Sequence, residues 1–336
     1  MLLLSSAPDL DHHDTGGRHP ERPERIGAAL AGIDDAGLRD AIVDLAPRRA
    51  VIEELTRVHS QGYLDAVEAF CRDGGGTIDP DTTVGPGSWD TALLAAGGVL
   101  AAIEGLDAGR GDTAFVAARP PGHHALAEQS MGFCLINNIA VGAAALAERG
   151  ERVVIVDFDV HHGNGTQDIF WNDPRVLYIS THEWPLYPGT GRVEETGGAA
   201  APGLTMNIPL PAGATGDVLM RAADEAMAPV VEDFDPTWLL VSAGFDAHRA
   251  DPLAQLRLTA GDFADLMGRI QGFAPQSGRT VVVLEGGYDL EALRLSVGAT
   301  LARLLDRPYR PEPASAGGPG GFAVEAVRRV FGEGPD

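Results

Sequence analysis

Lysine is absent from this chain: all 25 basic residues among its 336 are arginine. No lysine side chain is therefore available for acetylation. Bases are also few, set against 48 acids, for a net charge of −23. That balance excludes nucleic-acid binding through a general basic surface. It favours cationic partners, lysine-rich peptides or polyamines among them, and it also serves solubility. Cysteine is nearly absent. Cys71 and Cys134 show no Cys-x-x-Cys spacing, which excludes a disulfide framework and fits a reducing cytoplasm. Long uninterrupted apolar runs are lacking too. Residues 91–106 are apolar, but Gly97, Gly98 and Glu104 break the run, so a buried helix is expected rather than a membrane span. Met1-Leu-Leu-Leu-Ser-Ser6 is too short and uncharged for a signal peptide and reads as a first strand.

What is present suffices for a core, since 44% of the residues are apolar. Strand-like apolar runs fall near 2–6, 114–118, 153–157, 176–180, 205–208, 238–242 and 280–284. Helical stretches fall near 22–36, 54–72, 88–109, 138–149, 215–232, 260–272 and 289–305. The alternation predicts an α/β fold with a mostly parallel sheet covered on both faces. No repeat and no linker divides the chain before residue 308, so residues 1–336 read as one domain. Within it, 309–321 form a loose Pro/Gly-rich segment and 322–331 a short terminal helix.

Four of the apolar runs end in residues that core packing would not place there. Val153-Val-Ile-Val156 runs into Asp157, Asp159 and His161 before Gly163-Asn-Gly165. Trp238-Leu-Leu-Val241 leads to Asp246, and Val281-Val-Val-Leu284 leads through Glu285-Gly-Gly to Tyr288. Ala114-Phe-Val-Ala-Ala118 leads to His123 and His124. Ionisable side chains buried without partners are costly, so their recurrence at strand ends predicts a site. Asp159, His161 and Asp246 supply three ligands for one metal and leave an open position, as catalytic zinc sites do. Zn²⁺ is the first choice, with Fe²⁺ and Co²⁺ as alternatives for this oxygen-rich set. His123 and His124 suit general base and general acid roles near neutral pH. Tyr288 suits a donor to a developing oxyanion. Together these parts suit hydrolysis of an amide.

In this order the motifs resemble those of the histone deacetylase and acetylpolyamine amidohydrolase superfamily. They are His19-Pro-Glu-Arg-Pro-Glu-Arg25, Pro121-Gly-His-His124, Gly132-Phe-Cys134, Asp157-x-Asp-x-His-His-Gly-Asn-Gly165, Tyr187-Pro-Gly-Thr-Gly191, Gly244-Phe-Asp246 and Glu285-Gly-Gly-Tyr288. The resemblance implies an arginase-like three-layer α/β/α fold. It implies Asp159, His161 and Asp246 as metal ligands, and His123, His124 and Tyr288 as the catalytic set. Asp157 and Asn164 correspond to partners of the two histidines. Gly132, Phe133, Tyr187 and Leu253 correspond to a narrow acyl-lysine tunnel and its rim. Asp81 falls near a rim acid, Arg25 matches an arginine near an acetate exit, and His248 reads as either a rim or a capping residue. Structural K⁺ is implied at Asp157, Asp159, His161, Ser180 and Thr181, with a second place around Phe170, Asp173, Val176 and Leu204.

The resemblance implies as substrates acylated lysine in a protein or peptide, or an acetylated polyamine or small amine. No nucleic acid and no membrane are expected as partners, whereas a homo-oligomer is allowed. Family members dedicated to polyamines carry an acid just after the Asp-Pro that follows the third ligand. Here that segment reads Asp251-Pro-Leu253, which disfavours a strict polyamine enzyme. A catalytically dead binding protein would lack a ligand, a histidine or the tyrosine, and none is missing. An arginase-like ureohydrolase would need ligands for a second metal, and those are not evident. His12 and His13 read as a solvated surface pair, His59 and His182 as structural residues, and Cys134 as a buried thiol.

Overall fold

Apolar runs that can be buried on both faces pair as parallel strands. The computed structural model describes residues 1–6 and 12–332. Its strands are β1 (Leu2–Ser5), β2 (Ile42–Leu45), β3 (Gly76–Asp79), β4 (Thr82–Val84), β5 (Thr113–Val116), β6 (Val153–Asp157), β7 (Val176–Glu183), β8 (Thr205–Leu210), β9 (Trp238–Ala243) and β10 (Thr280–Leu284). Eight of them form one sheet in the order β2-β1-β5-β10-β9-β6-β7-β8. Every neighbouring pair in it is parallel. β3 and β4 form a separate antiparallel hairpin.

The helices are α1 (Glu24–Asp35), α2 (Ile52–Leu55), α3 (Gln61–Arg72), α4 (Ser88–Asp107), α5 (Asn138–Glu148), α6 (Asn164–Phe170), α7 (Gly216–Ala222), α8 (Ala228–Phe234), α9 (Ala260–Ile270), α10 (Leu290–Leu304) and α11 (Gly321–Gly332). Successive strand side chains point to opposite faces, and two cores result. Val154 and Val156 of β6 pack with Ile33 of α1, Phe263 of α9 and Val297 of α10. Val153 and Ile155 pack on the other side with Leu64 of α3, Val99 of α4 and Val141 of α5. This is the three-layer, arginase-like arrangement expected from the alternation and the resemblance. Burying each such Val or Ile contributes ~1.5–3 kcal/mol.

The expected helix over 54–72 is two helices. Ser60 accepts a hydrogen bond from the Tyr63 N–H and so restarts the chain as α3. The expected helix over 215–232 contains one π turn, Ala223–Met227, just ahead of Pro229. Proline has no N–H for the α ladder, and the wider turn absorbs that gap. Helix α4 is long and apolar enough to cross a membrane by length and composition, yet it lies mostly buried in the protein, as expected. The segment expected to be loose has no regular element but is well tied. Ser315 Oγ donates to Asp262 Oδ2 at 2.6 Å, and the Gly317 N–H donates to Asp217 Oδ2 at 3.0 Å.

Two buried histidines make the fold acid-sensitive. His13 is not the solvated residue expected: it is 1% exposed, with Nδ1 2.7 Å from Ser88 Oγ and Nε2 3.5 Å from Glu21 Oε2. His12 is exposed. His59 is structural, as expected, with Nδ1 2.9 Å from the Leu126 carbonyl and Nε2 accepting from the Asn137 N–H. Burial is the main cause that lowers each ring's pKa from 6.5 to about 4. The unfolded chain therefore binds more protons than the folded one between these values. The stability tied to neutral rings is complete above pH 6.5 and is lost as pH falls through about 4. At pH 5 each ring withdraws about 2 kcal/mol. Urea midpoints should fall between pH 7 and pH 5, and His59→Gln should show a shallower fall. An equal slope in both proteins would contradict this assignment.

Candidate active site

The sheet order explains how residues far apart in sequence meet. β5, β10, β9 and β6 lie side by side, so the loops after them share one end of the sheet. They deliver His123 and His124, Glu285 to Tyr288, Asp246, and Asp157 to His161. One ligand atom each from Asp159, His161 and Asp246 lie within 4.8 Å of one another, and all three residues are buried. Among the described residues no other group of three such side chains clusters this closely.

Each ligand is aimed by the backbone. Asp159 Oδ1 accepts from the His161 N–H at 2.9 Å, and its Oδ2 accepts from the Gly286 N–H at 2.8 Å. Asp246 Oδ1 accepts from the Val160 N–H at 3.0 Å. Its Oδ2 is buried with no hydrogen-bond partner and sits 3.2 Å from His161 Nδ1. His161 Nδ1 is also 3.1 Å from Asp159 Oδ1. Burial opposes charge on this ring, but the two carboxylates outweigh it and push its pKa up to about 10. Two buried carboxylates and an imidazole converging on one point, one oxygen unpartnered, fit a divalent cation. A Cβ at position 286 would lie 2.0 Å from Asp246 Oδ2, so glycine is required there.

The two histidines differ in their partners. His123 Nδ1 lies 3.1 Å from Asp157 Oδ2, an oxygen that also accepts from the Tyr178 hydroxyl at 3.1 Å. Burial opposes the protonated ring, but Asp159 and Asp157 outweigh it and raise its pKa to about 10. His124 Nδ1 lies 2.8 Å from Asn164 Oδ1, an amide rather than a carboxylate. Burial, then the neighbouring His123 and His161, hold its pKa well below 6.5. Their surroundings thus push the two rings, 4.0 Å apart between centroids, in opposite directions, His123 toward the protonated form and His124 toward the neutral one. Tyr288 is buried, and burial keeps its hydroxyl protonated against the opposing influence of Arg25.

Aromatic rings wall the approach to this cluster. The Tyr187 ring stands edge-on to His124 at 5.2 Å, and the Phe133 ring edge-on to Tyr288 at 5.6 Å. Tyr187 is 37% exposed and so reaches the surface. Phe133 has φ 67°, a left-handed conformation that side chains seldom adopt. Gly132 before it has φ 56°, and a Cβ there would lie 2.3 Å from the His124 ring. Asp81 Oδ1, expected as a rim acid, accepts from the Gly132 N–H at 3.0 Å and so braces the turn that carries Phe133. Leu253 is half-buried and donates its N–H to Asp251 Oδ1 at 3.0 Å.

Arg25 lies beneath Tyr288, its guanidinium 4.9 Å from the ring centroid, and it donates to the carbonyls of Gly287 and Glu285. His248 is a buried clamp rather than a rim group: Nε2 is 2.8 Å from Glu312 Oε2, and Nδ1 accepts from the Ala250 N–H. His182 is held between Ser180 Oγ and the Gly191 carbonyl, each at 2.9 Å. Asp157 of β6 and Ser180 of β7 are register partners, which places Thr181 beside the same strand end. The Thr181 hydroxyl is buried without a hydrogen-bond partner. Around Phe170, Asp173, Val176 and Leu204, where the resemblance implied a second K⁺, the carbonyls of Phe170, Asp173 and Leu204 accept from the N–H groups of Asp173, Val176 and Tyr178.

Three supporting carboxylates were not singled out from the sequence. Glu285 Oε2 accepts from the N–H groups of Gly122 and His123, and its Oε1 from Ser242 Oγ, so it fixes the histidine loop. Asp251 Oδ2 accepts from the N–H groups of Tyr288 and Asp289 at 2.7 and 3.2 Å, and so fixes the tyrosine. Glu21 joins Arg25 and Arg119 in a buried ion cluster. Glu285 and Asp251 lie inside or beside quoted motifs, which was the available signal.

Comparison with known proteins identifies relatives of the chain. The histone deacetylase domain pattern matches residues 19–304. A probable deacetylase of Archaeoglobus fulgidus is 44% identical over 284 residues, covering 83% of this chain and 79% of that protein. A histone deacetylase-like amidohydrolase of Pseudomonas aeruginosa is 40% identical over 275 residues, covering 80% of this chain and 72% of that protein. The crystal structure of the HDA15 HD domain superposes with a TM-score of 0.90 at 33% identity, covering 98% of this chain and 94% of that one. The chain belongs to the histone deacetylase family, a family of amide-cleaving hydrolases.

Proposed function

We propose that the protein hydrolyses the amide of N-acylated amines, with acetyl-lysine in a peptide or protein as its main substrate and Zn²⁺ as its metal. The observation that carries this is the buried Asp159–His161–Asp246 group facing His123, His124 and Tyr288 at the end of an aromatic-walled approach. Asp159, His161 and Asp246 would hold a divalent metal, which when bound would supply polarisation of the amide carbonyl and acidification of a water. His124 keeps Nδ1 on Asn164 Oδ1 and offers its Nε2 lone pair to the water proton. His123, protonated beside Asp157, donates to the leaving nitrogen as the C–N bond breaks, and the freed acid departs. Tyr288 donates its hydroxyl to the oxygen that gains negative charge. Phe133 and Tyr187 admit a thin aliphatic stem and shed its water. Buried oxygens around Asp157, Ser180 and Thr181 support the K⁺ implied by the resemblance, and the chemistry suits a cytoplasmic protein without disulfides.

A panel of acetyl-lysine peptide, acetylputrescine, acetylspermidine and longer acyl-lysines tests this reading. The acetyl-lysine peptide is expected to have the highest kcat/KM. A higher value for an acetylpolyamine would reassign the substrate. Absence of turnover across the panel with metal supplied would reject the function.

A further inference from the structure

A groove of about 490 Å³ lies between α3 and the β3–β4 hairpin. It is lined by the apolar and aromatic side chains of Tyr63, Val67, Phe70 and Ile78 and by two acids, Asp79 and Glu128. We propose that this groove is a subsite for a basic side chain flanking the acyl-lysine of a peptide substrate. The proposal rests on the deacylase reading above.

Position is the first argument. Groove and tunnel share one partition, residues 129–133. Gln129 and Ser130 line the groove, and Ser130 Oγ lies 2.6 Å from the Tyr63 hydroxyl. Gly132 and Phe133, the next residues but one, form the tunnel wall and donate their N–H groups to Asp81 Oδ1 and Thr82 Oγ1. Asp81 follows Asp79 by two residues, a span of at most about 7 Å. Burial and then Asp81 raise the pKa of the Tyr187 hydroxyl, so Asp81 lies near that ring. A peptide whose acyl-lysine enters the tunnel therefore lays its adjacent residues along the hairpin.

Chemistry is the second. Apolar side chains fit the methylene stem of Arg or Lys, which buries its stem and keeps its head polar. The aromatic rings of Phe70 and Tyr63 and the two carboxylates suit the cationic head. None of the described residues lining the groove is basic. Phe70 is 36% exposed, an aromatic ring left uncovered at the groove. Burial and the adjacent Asp81 both raise the pKa of Asp79, a repulsion that a nearby cation relieves. An acidic or neutral side chain offers no such relief. The overall charge of −23 adds attraction for basic peptides at longer range.

The test uses two acetyl-lysine peptides that differ at one residue next to the acetyl-lysine, Arg in one and citrulline in the other. A small neutral acetyl-lysine amide is the third substrate. In the wild type, kcat/KM for the Arg peptide should exceed that for the citrulline peptide by about fivefold, the scale of a cation beside two partly solvated acids and a ring. In the double variant Asp79→Asn with Glu128→Gln the ratio should approach one. The ratio is taken within each protein, so any common loss of fold or rate cancels. Equal values for the two peptides, with the small amide turned over, overturn the subsite alone. A preference that survives in the double variant overturns its location. No turnover of any of the three overturns the deacylase reading and the subsite with it.

Discussion

Asp246→Ala should yield folded protein that no longer retains a divalent cation and has lost turnover by roughly 10³ or more, since a polarising metal supplies several kcal/mol at the reacting carbonyl. Asp246 contributes a buried oxygen that no hydrogen bond satisfies, and its position beside Asp159 is unfavourable when both carry charge. Removing it relieves that repulsion but also leaves the buried Val160 N–H without its acceptor, so the metal-free variant should stay folded and melt modestly below the metal-free wild type. Added Zn²⁺ or Co²⁺ should raise the Tm of the wild type, because binding to the folded state stabilises it by mass action. The variant should show no such rise. In the wild type a chelator should abolish activity and added metal restore it. Full turnover in protein shown by elemental analysis to be metal-free would reject Asp159, His161 and Asp246 as a catalytic metal centre.

The parts of the site legible in the sequence are those that local pattern determines. Strands buried on both faces read as unbroken apolar runs, and β6 and β10 are clear cases. The polar residues that follow them must lie at strand ends, which locates His123, Asp159, Asp246 and Tyr288 without coordinates. β2 was not legible because it is a four-residue edge strand, half-exposed, defined by pairing with β1. The β3–β4 hairpin begins on the last of three glycines, turns at Pro80 and contains an irregular register. Its place is set by contacts with Gly132 and Phe133 about 50 positions away. Helix α6 starts within Gly163-Asn-Gly165, where composition alone argues for a loop. Supporting carboxylates are harder still. Glu285 acts on N–H groups 162 and 163 positions away, and Asp251 on one 37 away. Their roles depend on which backbone donors the sheet order brings near, and residue type carries no trace of that.

Tyr288→Phe should lower kcat by ~10²–10³ on every acyl-amine that the protein turns over, the usual cost of one lost oxyanion donor. KM should change little, because the hydroxyl acts on charge that develops after binding. The ring itself is held by contacts that phenylalanine keeps. It stands against Phe133 and over the Arg25 guanidinium, and its N–H is fixed by Asp251. Fold and metal content should therefore match the wild type. Burial and the nearby Asp246 and Asp159 raise the phenol pKa, outweighing Arg25, so the hydroxyl remains a donor throughout the neutral range. A tyrosine that merely packs the core would give the opposite pattern, a loss of stability with kcat preserved. Asp251→Asn separates position from chemistry. It keeps the phenol but weakens the grip on its backbone, so kcat should fall less than in Tyr288→Phe. If Tyr288→Phe retained near-full kcat on acetyl-lysine peptide and acetylpolyamine alike, the charge on the carbonyl oxygen would have to be met by other groups, and the proposed mechanism would fail at its central step.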